Sequence, residues 1–421
     1  MQADSSDYWR RNLVVCLLGS FSTIFAMTLM LPFLPIYVAQ LGVHGHAAIV
    51  QWSGVAYSAT FATAALAAPV WGRLGDRYGR KPMLVRASLG MAIAMSLIGF
   101  STNIWQLVGL RLLAGLAGGY SSGATILIAV QTPRRHSAWA LGRLSSGVMA
   151  GNLLGPLVGG SLPALIGIRA SFWCAGAMIF VSFLATVFLV REAPRVQTRE
   201  APGLQTRDAP GGQTPDTPGE PGTAAARPPG GWSQIRRKDL VAAMLATALL
   251  LMFANMSIEP IITVYVATLV RNPARVTFVA GLVMSAAALG SILSASRLGG
   301  LADRIGHTTV IVAALVVAGL LLIPQAFVTA GWQLIGLRFL MGLALGGLLP
   351  SIAAVVRHNI PDHAAGAVMG YLISAQFAGQ VAGPLVGGFI GGHIGLRAVF
   401  LGTCVLLLVG AAYNWRVGRR P

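Results

Sequence analysis

The chain has 421 residues, of which 55% are hydrophobic and only 10% charged, and its formal charge at pH 7 is +18. Soluble domains carry about 25% charged residues, so this composition cannot build a water-facing shell and excludes a soluble enzyme. The 30 cations include only two lysines, Lys81 and Lys238, and their placement decides what the charge means.

A bilayer core about 30 Å thick takes about 20 mostly apolar residues per helix. Runs of this kind fall at 12–39, 48–71, 83–101, 105–130, 138–162 and 170–190, then at 240–268, 276–297, 309–329, 332–356, 364–391 and 397–414. The first is too long for the apolar region of a cleaved signal peptide and is followed at once by more spans. Twelve spans result, six on each side of one long polar segment.

Cations sort by loop parity. Arg10 and Arg11 precede span 1; Arg73, Arg77, Arg80, Lys81 and Arg86 surround the 2–3 loop; Arg134, Arg135 and Arg143 surround the 4–5 loop; Arg416, Arg419 and Arg420 end the chain. The 1–2, 3–4 and 9–10 loops hold no Lys or Arg. The positive-inside rule then makes both termini cytoplasmic. Attraction to anionic lipid headgroups accounts for the charge, and no nucleic-acid partner is expected, because the cations do not form one stripe.

The polar segment contains three tandem octads, Arg191–Thr198, Arg199–Thr206 and Arg207–Thr214, each with proline at its fourth position. With almost nothing apolar between prolines it cannot form a core. The expected organisation is a six-helix bundle over 1–190, a disordered cytoplasmic linker over 191–238 and a second bundle over 239–421. Cys16, Cys174 and Cys404 lie far apart in apolar runs, without metal or disulfide spacing.

The halves repeat. Asp76, Arg77 and Gly79 recur as Asp303, Arg304 and Gly306, and Trp105 to Leu107 and Arg111 recur as Trp332 to Leu334 and Arg338, all at an offset of 227. At 228, Gly155-Pro156 through Gly160 recurs identically as Gly383-Pro384 through Gly388, and Tyr37 to Ala39 as Tyr265 to Ala267. A constant offset over most of a half implies an all-α membrane protein, with twelve transmembrane helices arranged as two pseudo-symmetric six-helix bundles about an axis along the membrane normal.

On these residues the chain resembles the major facilitator superfamily, and within it the twelve-span drug/proton antiporters. The family's 2–3 loop signature stands at Gly72 to Lys81 and its antiporter span-5 pattern at Gly151 to Gly160. The span-4 pattern is met by Leu107, Arg111 and Gly115, with Ala114 in place of its glutamine. The resemblance implies transport by alternating access, energised by the proton gradient without a cofactor, in a bacterial inner membrane.

Site candidates follow. Gly72, Asp76, Arg77, Gly79 and Arg80, with Asp303 and Arg304, read either as a state-dependent latch, whose carboxylate accepts from helix N-terminal amides or from an arginine, or as a topogenic cation cluster. Arg111 and Arg338 sit about two turns inside apolar spans, where a charge costs at least about 3 kcal/mol; each either snorkels outward or faces a central cavity and tunes a carboxylate. Gly151, Gly155, Pro156, Gly159 and Gly160, with Gly383 and Pro384, make small-residue faces suited to close approach of the other bundle or to plain helix packing. Glu259 is the single acid within a span. It stands beside Pro260, whose missing amide would open the helix, and reads as a proton site or as a group at the outer mouth. The acid usual in span 1 of such antiporters is absent.

Met27, Met30, Tyr57, Phe61, Asn152, Asn255, Met256, Gln376, Phe377 and Gln380 are the candidate cavity liners. The expected function is proton-coupled efflux of small lipophilic or cationic solutes by a functional monomer in the bilayer. Transport of a natural solute, or a non-transporting receptor on the same scaffold, are the alternatives. No H-E-x-x-H or phosphate loop supports an enzyme.

Overall fold

The computed structural model describes residues 5–192, 237–361 and 364–419. Most of the expected linker, 193–236, and Arg420 lie outside them. The described residues form helices joined by short turns, because in hydrocarbon each backbone N–H and C=O must be satisfied within its own segment.

The first span is α1 (Ser5–Leu29), a 3-10 turn at Leu31–Phe33, and α2 (Leu34–Gln40). The interruption falls at Pro32 and Pro35, which lack amide donors. There follow α3 (His46–Tyr78), α4 (Arg80–Ile98), α5 (Ile104–Ala117) and α6 (Tyr120–Gln131), then α7 (Ser137–Ile166) and α8 (Ile168–Leu189). The second half holds α9 (Lys238–Leu269), α10 (Val276–Ile305), α11 (His307–Ala326), α12 (Gly331–Leu345), α13 (Leu348–His358), α14 (Ala365–His393) and α15 (Leu396–Gly418).

Spans 4 and 10 are each broken in two at matched glycine pairs, Gly118-Gly119 and Gly346-Gly347, with Gly119 at φ 102° and Gly347 at φ 78°. Only glycine adopts that backbone without strain, so the repeat extends to where the helices stop.

Packing repeats as well. In the first bundle α1 lies on α7, α4 on α8 and α3 on α5; in the second α9 lies on α14, α11 on α15 and α10 on α12. Tyr37 donates to the Ile98 carbonyl at 2.7 Å, and Tyr265 donates to the Gln325 carbonyl at 2.9 Å. Their rings pack on Phe172 and Phe400 respectively.

The bundles meet along α3 with α14 and α7 with α10. Ten spans among the described residues are long and apolar enough to cross a membrane by composition alone; α3 and α14 are not among them. Their stock of glycine, serine and threonine suits a helix that faces another helix rather than lipid.

The proline and glycine faces divide between two partners. Cβ atoms at Gly151, Gly155 and Gly159 would strike α1, and at Gly379, Gly383 and Gly387 would strike α9, so these i, i+4, i+8 stripes pack inside their own bundles. The contact with the other bundle is one residue round the helix. The Pro156 carbonyl lies against Gly281, and the Pro384 carbonyl against Gly54. Ser285 donates to the Leu153 carbonyl and Ser58 to the Val381 carbonyl, each at 2.7 Å. Both readings of these segments apply to different residues: the i, i+4, i+8 stripe packs on α1 or α9, because a helix presents those positions to one neighbour, and Gly160 and Gly388 meet the other bundle.

These contacts close one end of the interface, the end away from both chain termini. Toward the other, cation-rich end the helices separate. A Cβ at Gly72, Gly142, Gly299, Gly300, Gly366 or Gly370 would meet nothing within 4 Å among the described residues.

Valine at Gly159 or Gly387 overpacks a bundle interior and is expected to cost about 1–3 kcal/mol, seen as a lowered Tm of the detergent-solubilised protein. Gly281→Val should leave Tm near wild type but open the closed end. Maleimide labelling of Thr277→Cys in a background without native cysteines would then increase.

Candidate transport site

Between the bundles lies a cavity of about 610 Å³, lined by both halves. That is within the range for drug-sized ligands, roughly 300–1,000 Å³. Of the expected liners, Met27, Tyr57, Phe61, Asn152, Asn255, Met256 and Gln380 border it, together with Arg111, Glu259 and Arg338. Met30 does not: it is fully buried, and its sulfur accepts from Arg111 Nη1 at 2.9 Å. Gln376 and Phe377, half-buried on α14 one turn before Gln380, do not border it.

Glu259 lies at the closed end. It is about 21 residues into α9, or roughly 30 Å along the axis at 1.5 Å per residue, and one turn beyond it Thr263 donates to the Pro32 carbonyl at 2.9 Å, across the bundles. The carboxylate is thus beneath a seal rather than at an open mouth. Helix α9 runs through Pro260 without interruption, contrary to the expected opening; one unpaired carbonyl does not break a helix whose neighbours hold it on both sides.

Across the interface, the Tyr57 hydroxyl donates to Glu259 Oε2 at 2.5 Å. Both residues line the cavity, and Tyr57 is held by α3 one turn inside the Gly54–Pro384 contact. A short bond to a charged acceptor in a water-poor site is strong. No sequence signal announced this pair: the residues are 202 apart, and the repeat places Met284 opposite Tyr57.

Neither arginine snorkels. Arg111 is 1% exposed and Arg338 4%. Arg111 donates from Nε to the Ala56 carbonyl at 3.0 Å, and its guanidinium carbon lies 5.8 Å from the centre of the Tyr57 ring. Arg338 is close enough to Glu259 for Coulombic attraction. Arg338 thus stands by the carboxylate, and the matched Arg111 by the Tyr57 ring whose hydroxyl bonds it.

At the cation-rich end, Asp76 pairs with Arg80 one turn on, and its side chain is 70% exposed. Asp303 is matched to it, with His307 Nε2 at 3.5 Å and 74% exposure. Asp76 does not take the helix amides expected of it. Those of Arg80 and Lys81 donate to Glu192 at 2.8 and 2.9 Å, because Glu192 emerges from span 6 directly over the start of α4, beside Gly79 at φ 108°. Arg77 lies over the Tyr78 ring. Gly72 faces open space, and Arg304 stands in the last turn of α10. Arg86 stacks on Trp71 at 3.6 Å and donates to the Leu116 and Gly118 carbonyls, which the break in span 4 leaves without helical partners. Among the described residues no group of three or more His, Cys, Asp or Glu could hold a metal.

Tyr57→Phe removes the donor to Glu259. A hydrogen bond to a charged group contributes about 1.5–3 kcal/mol, so the closed-end state is expected to lose population by about tenfold or more. Distances between spin labels at His46 and His393 would report this as a longer component.

The family model for the Major Facilitator Superfamily matches residues 16–272 and 276–421. The chain is 42% identical over 412 residues to the Multidrug resistance protein MdtG of Salmonella paratyphi C, covering 98% of this chain and 96% of that one. The same identity and coverage hold for the MdtG protein of Citrobacter koseri. Among solved structures, a bacterial homologue of the human lysosomal transporter Spinster superposes with TM-score 0.75 at 16% identity, covering 98% of this chain and 97% of that one. A mutant of the nucleoside transporter NupG superposes with TM-score 0.68 at 13% identity, covering 96% and 98%. The chain therefore belongs to the Major Facilitator Superfamily, in its MdtG-like branch, and is a secondary transporter of the bacterial inner membrane.

Proposed function

We propose that the protein exports lipophilic drugs in exchange for protons, as a monomer with both termini in the cytoplasm. The observation that carries the reading is the Tyr57–Glu259 bond. Among the described residues Glu259 is the only carboxylate lining the cavity, and it is bonded across the bundles beneath the seal. The name of the MdtG relatives and their 42% identity support the drug class, and the cation-rich loops support the orientation.

With that orientation the cavity is open to the cytoplasm. A drug enters against Met27, Phe61 and Met256 and disturbs the Tyr57–Glu259 bond, and the outer seal parts. A proton from outside then neutralises Glu259. Burying a neutral carboxyl is far less costly than burying its anion, so the bundles close again on the outer side. The proton leaves to the cytoplasm, assisted by Arg111 and Arg338, which favour the ionised form.

The second device is the pair of loops at the cation-rich end. Asp76 with Arg77 and Arg80, and Asp303 with Arg304, are exposed while that end is open and latch it when it shuts. The segment 191–238 tethers the two bundles.

The test is drug-driven proton movement in everted membrane vesicles, read by quenching of an acridine dye. Wild type should collapse an imposed gradient when drug is added, Glu259→Gln should abolish the response, and Arg111→Ala should reduce it at least tenfold. Drug accumulation that ignores a protonophore would sink the coupling.

A further inference from the structure

At the cation-rich end of the first bundle two guanidiniums share one aromatic ring. The guanidinium carbon of Arg11 lies 5.5 Å from the centre of the Tyr8 ring and that of Arg191 lies 5.1 Å from it, and Arg191 Nη1 donates to the Tyr8 hydroxyl at 3.1 Å. Nε and Nη2 of Arg11 are buried without a hydrogen-bond partner. Among the described residues neither arginine has an ion pair. Glu192, next to Arg191 in the chain, is taken by the amides of Arg80 and Lys81. Two like charges on one ring repel, and native folds leave few buried donors of a charged group unpaired.

The pair is held in place. Asn12, fully buried, donates from Nδ2 to the Arg191 carbonyl and to Gln131 Oε1, each at 2.6 Å, and accepts from the Arg191 amide at 3.0 Å. The end of span 6 is thereby fastened beside the first turns of α1 and the last turn of α6. Below Arg191, Val181, Leu184 and Phe188 stand at i, i+3 and i+7 on α8 and are exposed, an apolar face suited to acyl chains. Trp9 stacks on His136 and meets Trp139 edge-on, and tryptophan at the ends of spans marks the headgroup level. The second bundle does not repeat the arrangement. At the offset of 228, Asp239 stands for Arg11 and Leu240 for Asn12, while Arg419 stands for Arg191 and lies over Trp415. A charge serving topology alone needs no such fastening in one half.

We propose that Arg11 and Arg191 form a binding site for the phosphodiester of an anionic phospholipid, at the junction of α1, α6 and α8. The phosphate oxygens bridge Nη1 of Arg11, the nitrogen of that group left unburied, and the exposed guanidinium of Arg191. The acyl chains follow the exposed face of α8. A choline or ethanolamine headgroup would bring its own cation against the two arginines, so the site selects a headgroup with net negative charge. The lipid staples the start of span 1 to the end of span 6, whichever way the chain is oriented in the membrane.

The test is native mass spectrometry of the full-length protein titrated with phosphatidylglycerol and with phosphatidylcholine of the same acyl chains. Wild type should bind the first phosphatidylglycerol about tenfold more tightly than the first phosphatidylcholine. Arg11→Gln and Arg191→Gln should each remove most of that preference, and Arg11→Lys, which keeps the charge and loses the fork, should fall between. Arg419→Gln, the same loss of charge at the matched position, should keep it. Phosphatidylglycerol should also raise the Tm of wild type and of Arg419→Gln but not that of Arg11→Gln, while an unchanged Tm in phosphatidylcholine shows that the variant is folded. Equal binding of the two lipids by wild type overturns the site, as does a preference that survives the double variant Arg11→Gln with Arg191→Gln, or one that falls as far in Arg419→Gln. Inorganic phosphate at the concentration of the lipid should not displace it; if it does, the site takes a soluble anion and the proposal fails.

Discussion

The hydrogen bond from Tyr57 to Glu259 is the contact on which the arrangement of the two bundles turns. A carboxylate at this depth is tolerable only if its charge is met, and the groups that meet it come from both halves: Tyr57 from the first, Arg338 from the second. The elements around it are backbone contacts with no freedom of their own. Gly54 against Pro384 and Gly281 against Pro156 bring helices together at van der Waals distance, and the serine bonds beside them are neutral. Among these contacts the Tyr57–Glu259 bond is the one that involves an acid.

Symmetry explains most of the structure and its failure explains the site. Tyrosine bonds, aromatic contacts, glycine stripes, the breaks in spans 4 and 10 and inter-bundle serines recur between the halves, as expected of a duplicated bundle whose two copies bury the same surfaces. At the cavity the correspondence lapses. Glu259 stands opposite Leu31 and Tyr57 opposite Met284, while Arg338 lacks the carbonyl partner that Arg111 has. Binding a solute and moving a charge require a polar arrangement, and two identical halves would place like charges together at the axis.

The cation-rich end shows how an open face is kept soluble at its helix termini. Glu192 accepts from the first amides of α4, and Arg86 supplies donors to the carbonyls exposed by the break in span 4. Both satisfy groups that a helix leaves unpaired at its ends. Among the described residues the motif acids Asp76 and Asp303 pair within their own turns, with Arg80 and His307.

Spans, repeat and the short list of interior ionisable residues were legible in the sequence, because hydrophobic length, a fixed offset and the cost of a charge in lipid are properties of linear order and composition. Seven of the ten expected cavity residues border the cavity, since apolar and amide side chains on central spans have few other places to go. What the order of residues could not convey was direction. Whether a glycine stripe meets its own bundle or the other depends on rotation by one residue about a helix axis. The partner of Glu259 lies 202 positions away with no repeat to announce it, and Glu192 reaches α4 only because span 6 happens to end above it. Linear order determined which groups had to be buried; only the packing of twelve helices decided which of them face one another, because that contact is set by rotation and tilt rather than by spacing.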